Sequence, residues 1–273
     1  MRAAIILLAG GLILSGRASA QEAPALLHGA PWQVEIYTNF TAWEPQELAQ
    51  KQPWELAHHC GGSLIAEDWV LTAAHCVSQQ QVDKGYRVRL GTFDISNGTG
   101  VTYRIDRMVR HGRYDEVTHA NDIELLHFIA DDKTVQGKVR KITPIRLNGS
   151  RDGDRAIGLN APVTVTGWGK TSEGSDAHYS PQLLSVDVAT VACGEDDPEW
   201  LCAASSGKDS CTGDSGGPLI MTYGEPVLVG VVSWGKGCAR PTDPGYYLRI
   251  DRDHYLDWIR RAMATDPTVN SLN

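Results

Sequence analysis

Along most of the chain, short apolar stretches alternate with Gly, Pro, Asn and Asp. The stretches at 33–37, 63–65, 86–90, 103–109, 163–166, 183–188, 227–234 and 246–250 are short and rich in β-branched and aromatic residues. This spacing predicts an all-β barrel or sandwich. A helical period occurs once: Tyr255, Leu256, Trp258, Ile259, Ala262 and Met263 recur at three and four, which predicts one amphipathic helix over 253–263. The polar residues 265–273 read as a frayed tail. Between 38 and 57 the pattern fails, with two Trp and two Pro in polar surroundings, and the stretch reads as an inserted surface loop.

The first 20 residues stand apart. Arg2 gives a positive start, residues 3–14 an apolar run and Ala18-Ser19-Ala20 a small-residue cleavage site, so 1–20 is predicted to be a secretory signal with the exported chain starting at Gln21. The run of about a dozen apolar residues is shorter than the roughly 20 a spanning helix needs, and no other segment is predicted to cross a bilayer. Six cysteines, at 60, 76, 193, 202, 211 and 238, are an even number in an exported chain. Disulfides are therefore expected, and about fifteen pairings are open. None of these cysteines has the close spacing of a zinc site, so no metal is expected.

The whole chain has 273 residues, 42% hydrophobic and 21% charged, which excludes disorder as its main state. It is long enough for one domain of about 250 residues or two of about 125. Its formal charge is -8, and loss of Arg2 and Arg17 with the signal leaves 23 basic against 33 acidic side chains. With no basic field to neutralise a phosphate backbone, nucleic acid is not an expected partner.

Gly213-Asp214-Ser215-Gly216-Gly217-Pro218 carries the most chemistry, because a Ser flanked by glycines can sit on a tight turn with backbone N–H groups aimed at a reacting carbonyl. Gly213, Ser215 and Gly217 also fit the nucleophile elbow of α/β-hydrolases, with Asp251 and His254 following in the acid-then-His order. That elbow needs a helix directly after the Ser. Gly216, Gly217 and Pro218 are poor helix formers and lead into an apolar strand, which argues against it.

The opposite order, His then Asp then Ser, is met by His75 in Leu71-Thr72-Ala73-Ala74-His75-Cys76 and by Asp122 in Ala120-Asn121-Asp122-Ile123. With Cys60-Gly61-Gly62-Ser63-Leu64-Ile65 upstream and Val232-Ser233-Trp234-Gly235 downstream, the chain from about Pro31 to Met263 resembles the trypsin/chymotrypsin family of serine endopeptidases. The resemblance implies an all-β fold of two six-stranded antiparallel barrels with a cleft between them and a C-terminal helix. It implies Ser215 as nucleophile, His75 as the base that takes its proton, and Asp122 as the group that fixes the His75 tautomer. Gly213 and Ser215 are the implied oxyanion-hole donors.

Asp209, six residues before Ser215, stands where trypsin-like members hold a carboxylate at the floor of the specificity pocket. A buried carboxylate needs a cation, which implies cleavage after Arg or Lys. Gly235 and Gly245 match the pocket-wall glycines, and Ser233, Trp234 and Gly235 the strand that holds substrate backbone. The resemblance also implies disulfides Cys60–Cys76, Cys193–Cys202 and Cys211–Cys238. It implies no cofactor, protein or peptide substrates, a protein inhibitor as a further partner, and a monomer secreted to the extracellular or periplasmic side.

Two departures qualify the match. No Ile-Val-Gly-Gly start is present to supply the α-amine that pairs with the carboxylate beside the nucleophile, here Asp214; Leu26-Leu27-His28-Gly29 is a distant imitation. Some other group must then hold Asp214, and the expectation is that His58, two residues before Cys60, or another cation does so. The alternatives are a zymogen-like state and a non-catalytic binding protein on the same scaffold, although such proteins usually lose one of the three catalytic residues. After Leu90-Gly91, the segment Thr92, Phe93, Asp94 has one carboxylate where calcium-binding trypsins have several, so no calcium requirement is expected.

Overall fold

The computed structural model describes residues 23–24, 30–39, 43–130, 142–150, 154, 156–174, 177–194, 198–222, 224–240 and 243–264. The signal segment 1–20, Gln21, the tetrapeptide 26–29 and the tail 265–273 lie outside the described residues.

Six strands form a closed first barrel: β2 (Gln33–Thr38), β3 (His58–Ala66), β4 (Trp69–Thr72), β5 (Tyr86–Leu90), β6 (Val101–Arg110) and β7 (Glu124–Ile129), in the order β2-β3-β4-β7-β6-β5. The second uses β9 (Pro162–Gly167), β10 (Leu184–Val191), β11 (Trp200–Ala204), β12 (Pro218–Met221), β13 (Val227–Trp234) and β14 (Gly245–Arg249). Here β10 pairs antiparallel with both β9 and β11, which closes the ring. Two short strands decorate it: β1 (Ala23–Pro24) on β10, and β8 (Arg146–Leu147) parallel to β13.

The burial of each strand follows from its place. In β6, Tyr103 and Ile105 point inward while Thr102, Arg104 and Asp106 are exposed, the alternation of a strand with one wet face. In β13 all residues from Val227 to Ser233 are buried, the continuous apolar run expected where both faces are covered. One apolar cluster fills the first barrel around Ile36, Leu64, Leu90 and Phe128, and crosses the barrel contact to Val231 and Leu248. A second fills the other barrel around Val165, Leu219 and Val229.

Among the twelve barrel strands, four, β4, β7, β11 and β12, go beyond the stretches picked out in the sequence. β4 has four consecutive buried residues and so carries no period to read. The 38–57 stretch is also more ordered than a plain loop. It contains α1 (Pro45–Leu48) and α2 (Pro53–Ala57), each with Pro in its first turn and a reciprocal capping box, Glu44 with Glu47 and Gln52 with Glu55. Glu55 is buried and accepts a hydrogen bond from His178 Nδ1 at 2.8 Å, which ties the insertion to the loop before β10. A third short helix, α3 (Gln79–Asp83), precedes β5. The C-terminal helix α4 (Asp253–Ala264) buries Tyr255, Leu256, Ile259 and Ala262. Its Tyr255 hydroxyl donates to Asn121 Oδ1 at 3.1 Å, so the helix braces the residue beside Asp122.

At the head of β7, Glu124 is fully buried and neither carboxylate oxygen has a hydrogen-bond partner. Arg110 Nε lies 3.4 Å away. Burial pushes the Glu124 carboxyl up to about 8, against the opposing attraction of Arg110. The folded state therefore holds a proton that the unfolded chain releases near pH 4.5, and stability falls as pH rises through this window. In a Ser215→Ala background, Glu124→Gln should gain stability relative to its parent as pH rises from about 4.5 to about 8, reaching on the order of a few kcal/mol, with Tm rising in step. Thermal melts across this range measure it, and a pH-independent difference would contradict the neutral buried Glu124.

Candidate active site

The site forms where loops from both barrels meet. His75 follows β4 on a turn tied down by the Cys60–Cys76 disulfide, whose Cα atoms are 6.0 Å apart. Asp122, just before β7, is fully buried, and its carboxylate takes three donors. Oδ1 accepts the His75 backbone N–H at 3.0 Å, and Oδ2 accepts His75 Nδ1 at 2.8 Å and Ser233 Oγ at 2.5 Å. Burial alone would raise the Asp122 carboxyl, but these hydrogen bonds outweigh it and hold it below the usual carboxylate range. An ionised Asp122 keeps the hydrogen of His75 on Nδ1 and leaves the Nε2 lone pair available.

Ser215 sits between two residues with positive φ, Gly213 at +99° and Gly216 at +76°. A Cβ on Gly216 would come within 2.1 Å of Thr72 Oγ1 and 2.6 Å of Gly61 O, so this turn fits against the first barrel only with glycine. Each barrel also holds it by the backbone: Gly61 N–H donates to Ser215 O, and Gly216 N–H to Val232 O, both at 2.8 Å. Among the described residues the N–H groups of Gly213 and Ser215 make no hydrogen bond, and none joins Ser215 to His75. Such contacts are often long without substrate.

Ser215 lines a pocket of roughly 260 Å³ together with Asp209, Ser210, Trp234, Gly235 and Gly245. The Cys211–Cys238 disulfide joins two of its walls, and Trp234 stacks on Tyr246 at 3.8 Å. The third disulfide, Cys193–Cys202, closes a short loop next to β11. Asp209 is buried, and all its donors converge on Oδ1: Ser210 N–H at 2.7 Å, Tyr247 OH at 3.2 Å and Ser210 Oγ at 3.4 Å. Burial raises its carboxyl to about 6 despite those hydrogen bonds, so the pocket presents a carboxylate short of a cation.

The expected His58–Asp214 pair is not formed. Asp214 turns into a cradle where Gly169 N–H reaches Oδ1 at 2.8 Å and Cys211 N–H reaches Oδ2 at 2.9 Å. A Cβ on Gly169 would come within 2.4 Å of this carboxylate. His58 is spent elsewhere: Nδ1 contacts Glu35 Oε1 at 3.2 Å and Nε2 contacts Gly213 O at 3.1 Å. Gly213 O can only accept, so Nε2 is the donor in that contact. Glu35 is itself held by Arg89, with Nε donating to Oε2 at 2.6 Å.

Sequence reasoning missed this Arg89–Glu35–His58–Gly213 chain. Its one signal was a charge in an inward-facing stretch, Glu35 between Val34 and Ile36. The side-chain bond from Ser233 to Asp122 is likewise invisible in the sequence, where Ser233 stands only as part of the implied substrate-backbone strand.

Comparison with known proteins agrees with this arrangement. The Trypsin family profile matches residues 20–259. Trypsin 5G1 of Aedes aegypti is 36% identical over 216 residues, covering 76% of this chain and 76% of the relative. Trypsin-1 of Astacus astacus is 36% identical over 217 residues, covering 74% and 87%. Trypsin of Phaedon cochleariae is 33% identical over 224 residues, covering 76% and 82%. With the two-barrel fold and this extent of match, the chain belongs to the trypsin family of serine endopeptidases.

Proposed function

We propose that the protein is a secreted enzyme, with a protease domain over 21–264 behind a 1–20 signal, that hydrolyses peptide bonds after Arg or Lys through a His75–Asp122–Ser215 triad. The observation that carries the reading is that Asp122 holds His75 by Nδ1 while Ser215 opens onto a pocket lined by the cation-seeking Asp209. Three disulfides and the habit of the family support export. Among the described residues no helix is long and apolar enough to cross a membrane.

In this reading Ser215 Oγ attacks the scissile carbonyl carbon and its proton passes to His75 Nε2. The carbonyl π electrons move onto oxygen, which the N–H groups of Gly213 and Ser215 receive. Collapse reforms the carbonyl and breaks the C–N bond, and His75 gives its proton to the leaving amine. Water then repeats the sequence on the acyl-enzyme and frees Ser215. His58 acts as a positioning residue: it donates to Gly213 O and so fixes the peptide plane next to the oxyanion donors, with Glu35 and Arg89 holding the imidazole in place.

A serine-directed fluorophosphonate should label the wild type and fail on Ser215→Ala. Ser215→Ala and His75→Ala should each lower kcat by about 10⁶, with the double variant little worse, because the two act as a unit. Additive losses would sink the assignment. Asp209→Ser should lower kcat/KM for arginyl and lysyl substrates by roughly 10² to 10⁴ while reaction with a small acylating agent survives. A wild-type preference for Phe or Leu substrates would overturn the pocket reading. His58→Ala should lower kcat by up to about 10² to 10³, the scale of one lost oxyanion donor, with KM for an arginyl amide little changed. His58→Gln, which keeps a donor, should recover part of the loss; an unchanged kcat in His58→Ala would remove His58 from the mechanism.

A further inference from the structure

One imidazole beside the site has no assigned work. His119 and Asn121 both have positive φ, +58° and +55°, a backbone state that costs energy in residues other than glycine and persists where the surroundings impose it. Asn121 accounts for its own strain through Nδ2 to Arg113 O at 3.0 Å and Oδ1 from Tyr255 OH at 3.1 Å. His119 has no such return. Among the described residues its ring makes no hydrogen bond, and its buried Nδ1 has no partner there. The ring stacks on Trp234 at 6.4 Å and 19°, and stands edge-on to His75 with centroids 5.9 Å apart.

One ligand atom from each of His75, His119 and Asp122 lies within 4.8 Å of the others. The similar group Cys60, His75, Cys76 is excluded because both cysteines are consumed in a disulfide. In the first group Asp122 is already committed to His75 Nδ1, the arrangement in which a carboxylate orients a metal-binding histidine through its far nitrogen. That leaves His75 Nε2 and a His119 nitrogen as direct ligands. Zn²⁺ binds imidazole nitrogen at about 2.0–2.1 Å, so holding one ion between these two nitrogens requires the His119 ring to swing toward His75, with water completing the tetrahedron.

We propose that His75 and His119 form a site for a divalent zinc-class ion, oriented by Asp122, that reversibly inhibits the enzyme. The metal takes the Nε2 lone pair that would receive the Ser215 proton, so proteolysis stops while the ion is bound and resumes when it leaves. No covalent bond within the protein changes. Imidazole and borderline-soft Zn²⁺ suit one another, whereas Ca²⁺ and Mg²⁺ prefer oxygen donors and should not compete. The proposal rests on the assignment of His75 as the base, so binding and activity are tested separately.

Calorimetric titration of Zn²⁺ into the Ser215→Ala protein reads binding whether or not the wild type is a protease. The expected result is one ion per chain, with affinity falling at least about 10- to 100-fold in Ser215→Ala/His119→Ala and Ser215→Ala/His119→Gln. The affinity should be unchanged in Ser215→Ala/His127→Gln, which removes a surface histidine paired with Asp106 and Asp68. In the active protein, cleavage of a small arginyl amide should fall with added Zn²⁺ and return with EDTA. His119→Ala should cleave in metal-free buffer and lose its sensitivity to Zn²⁺. Equal Zn²⁺ affinity with and without His119, loss of binding through His127, or His119-dependent binding with no inhibition of a working enzyme would each overturn the proposal. A wild type that is inactive without metal yet binds Zn²⁺ through His119 would instead overturn the proteolytic reading and leave the ion site standing.

Discussion

Asp122, Asp209 and Asp214 are each at most 2% exposed, and all three surround a single turn. A carboxylate removed from water costs several kcal/mol unless donors or a counter-charge compensate it, so the way each is satisfied decides what it can do. Asp122 receives donors on both oxygens and is held ionised. Asp214 accepts backbone N–H groups on both oxygens, from Gly169 and from Cys211. Asp209 receives donors on one oxygen and is driven up to about 6. The same functional group is therefore held in three different ways, and the roles proposed for Asp122 and Asp209 draw on that difference.

The turn that carries Ser215 depends on both barrels at once. Gly61 from β3 and Val232 from β13 hold it by backbone hydrogen bonds of equal length. His58, from the start of β3, adds a side-chain hydrogen bond to Gly213 O, backed by Glu35 on β2 and Arg89 on β5. The first barrel thus contributes more than His75 and Asp122: it also fixes the backbone whose N–H groups are proposed to receive the oxyanion. A site assembled this way has little freedom to deform, because a shift of one barrel strains contacts to the other.

His58 shows how the same residue can be read in two ways. Its position before Cys60 suggested a pair with Asp214, whereas a register shift between β2 and β3 at Ile36/Tyr37 brings the start of β3 alongside the buried Glu35 strand. A carboxylate already paired with Arg89 then claims Nδ1, and Nε2 is left for the nearest carbonyl. Asp214 is meanwhile solvated by amides that a linear reading cannot place.

The sequence by itself determined the β-rich class, the C-terminal helix and the segments able to carry chemistry, because period, turn residues and short motifs act over a few residues. It left β4 unread, since four consecutive buried residues have no phase, whereas the longer apolar run of β13 was legible from its length and β-branched content. Only the tertiary structure decided that Ser233 donates to Asp122, that Glu35 reaches His58, that Gly169 makes room for Asp214 and that His119 comes to rest against His75. Those contacts join residues far apart in the chain, and their partners are chosen by barrel register, bulges and the need of each buried charge for a donor. None of these is encoded in the local pattern of residues.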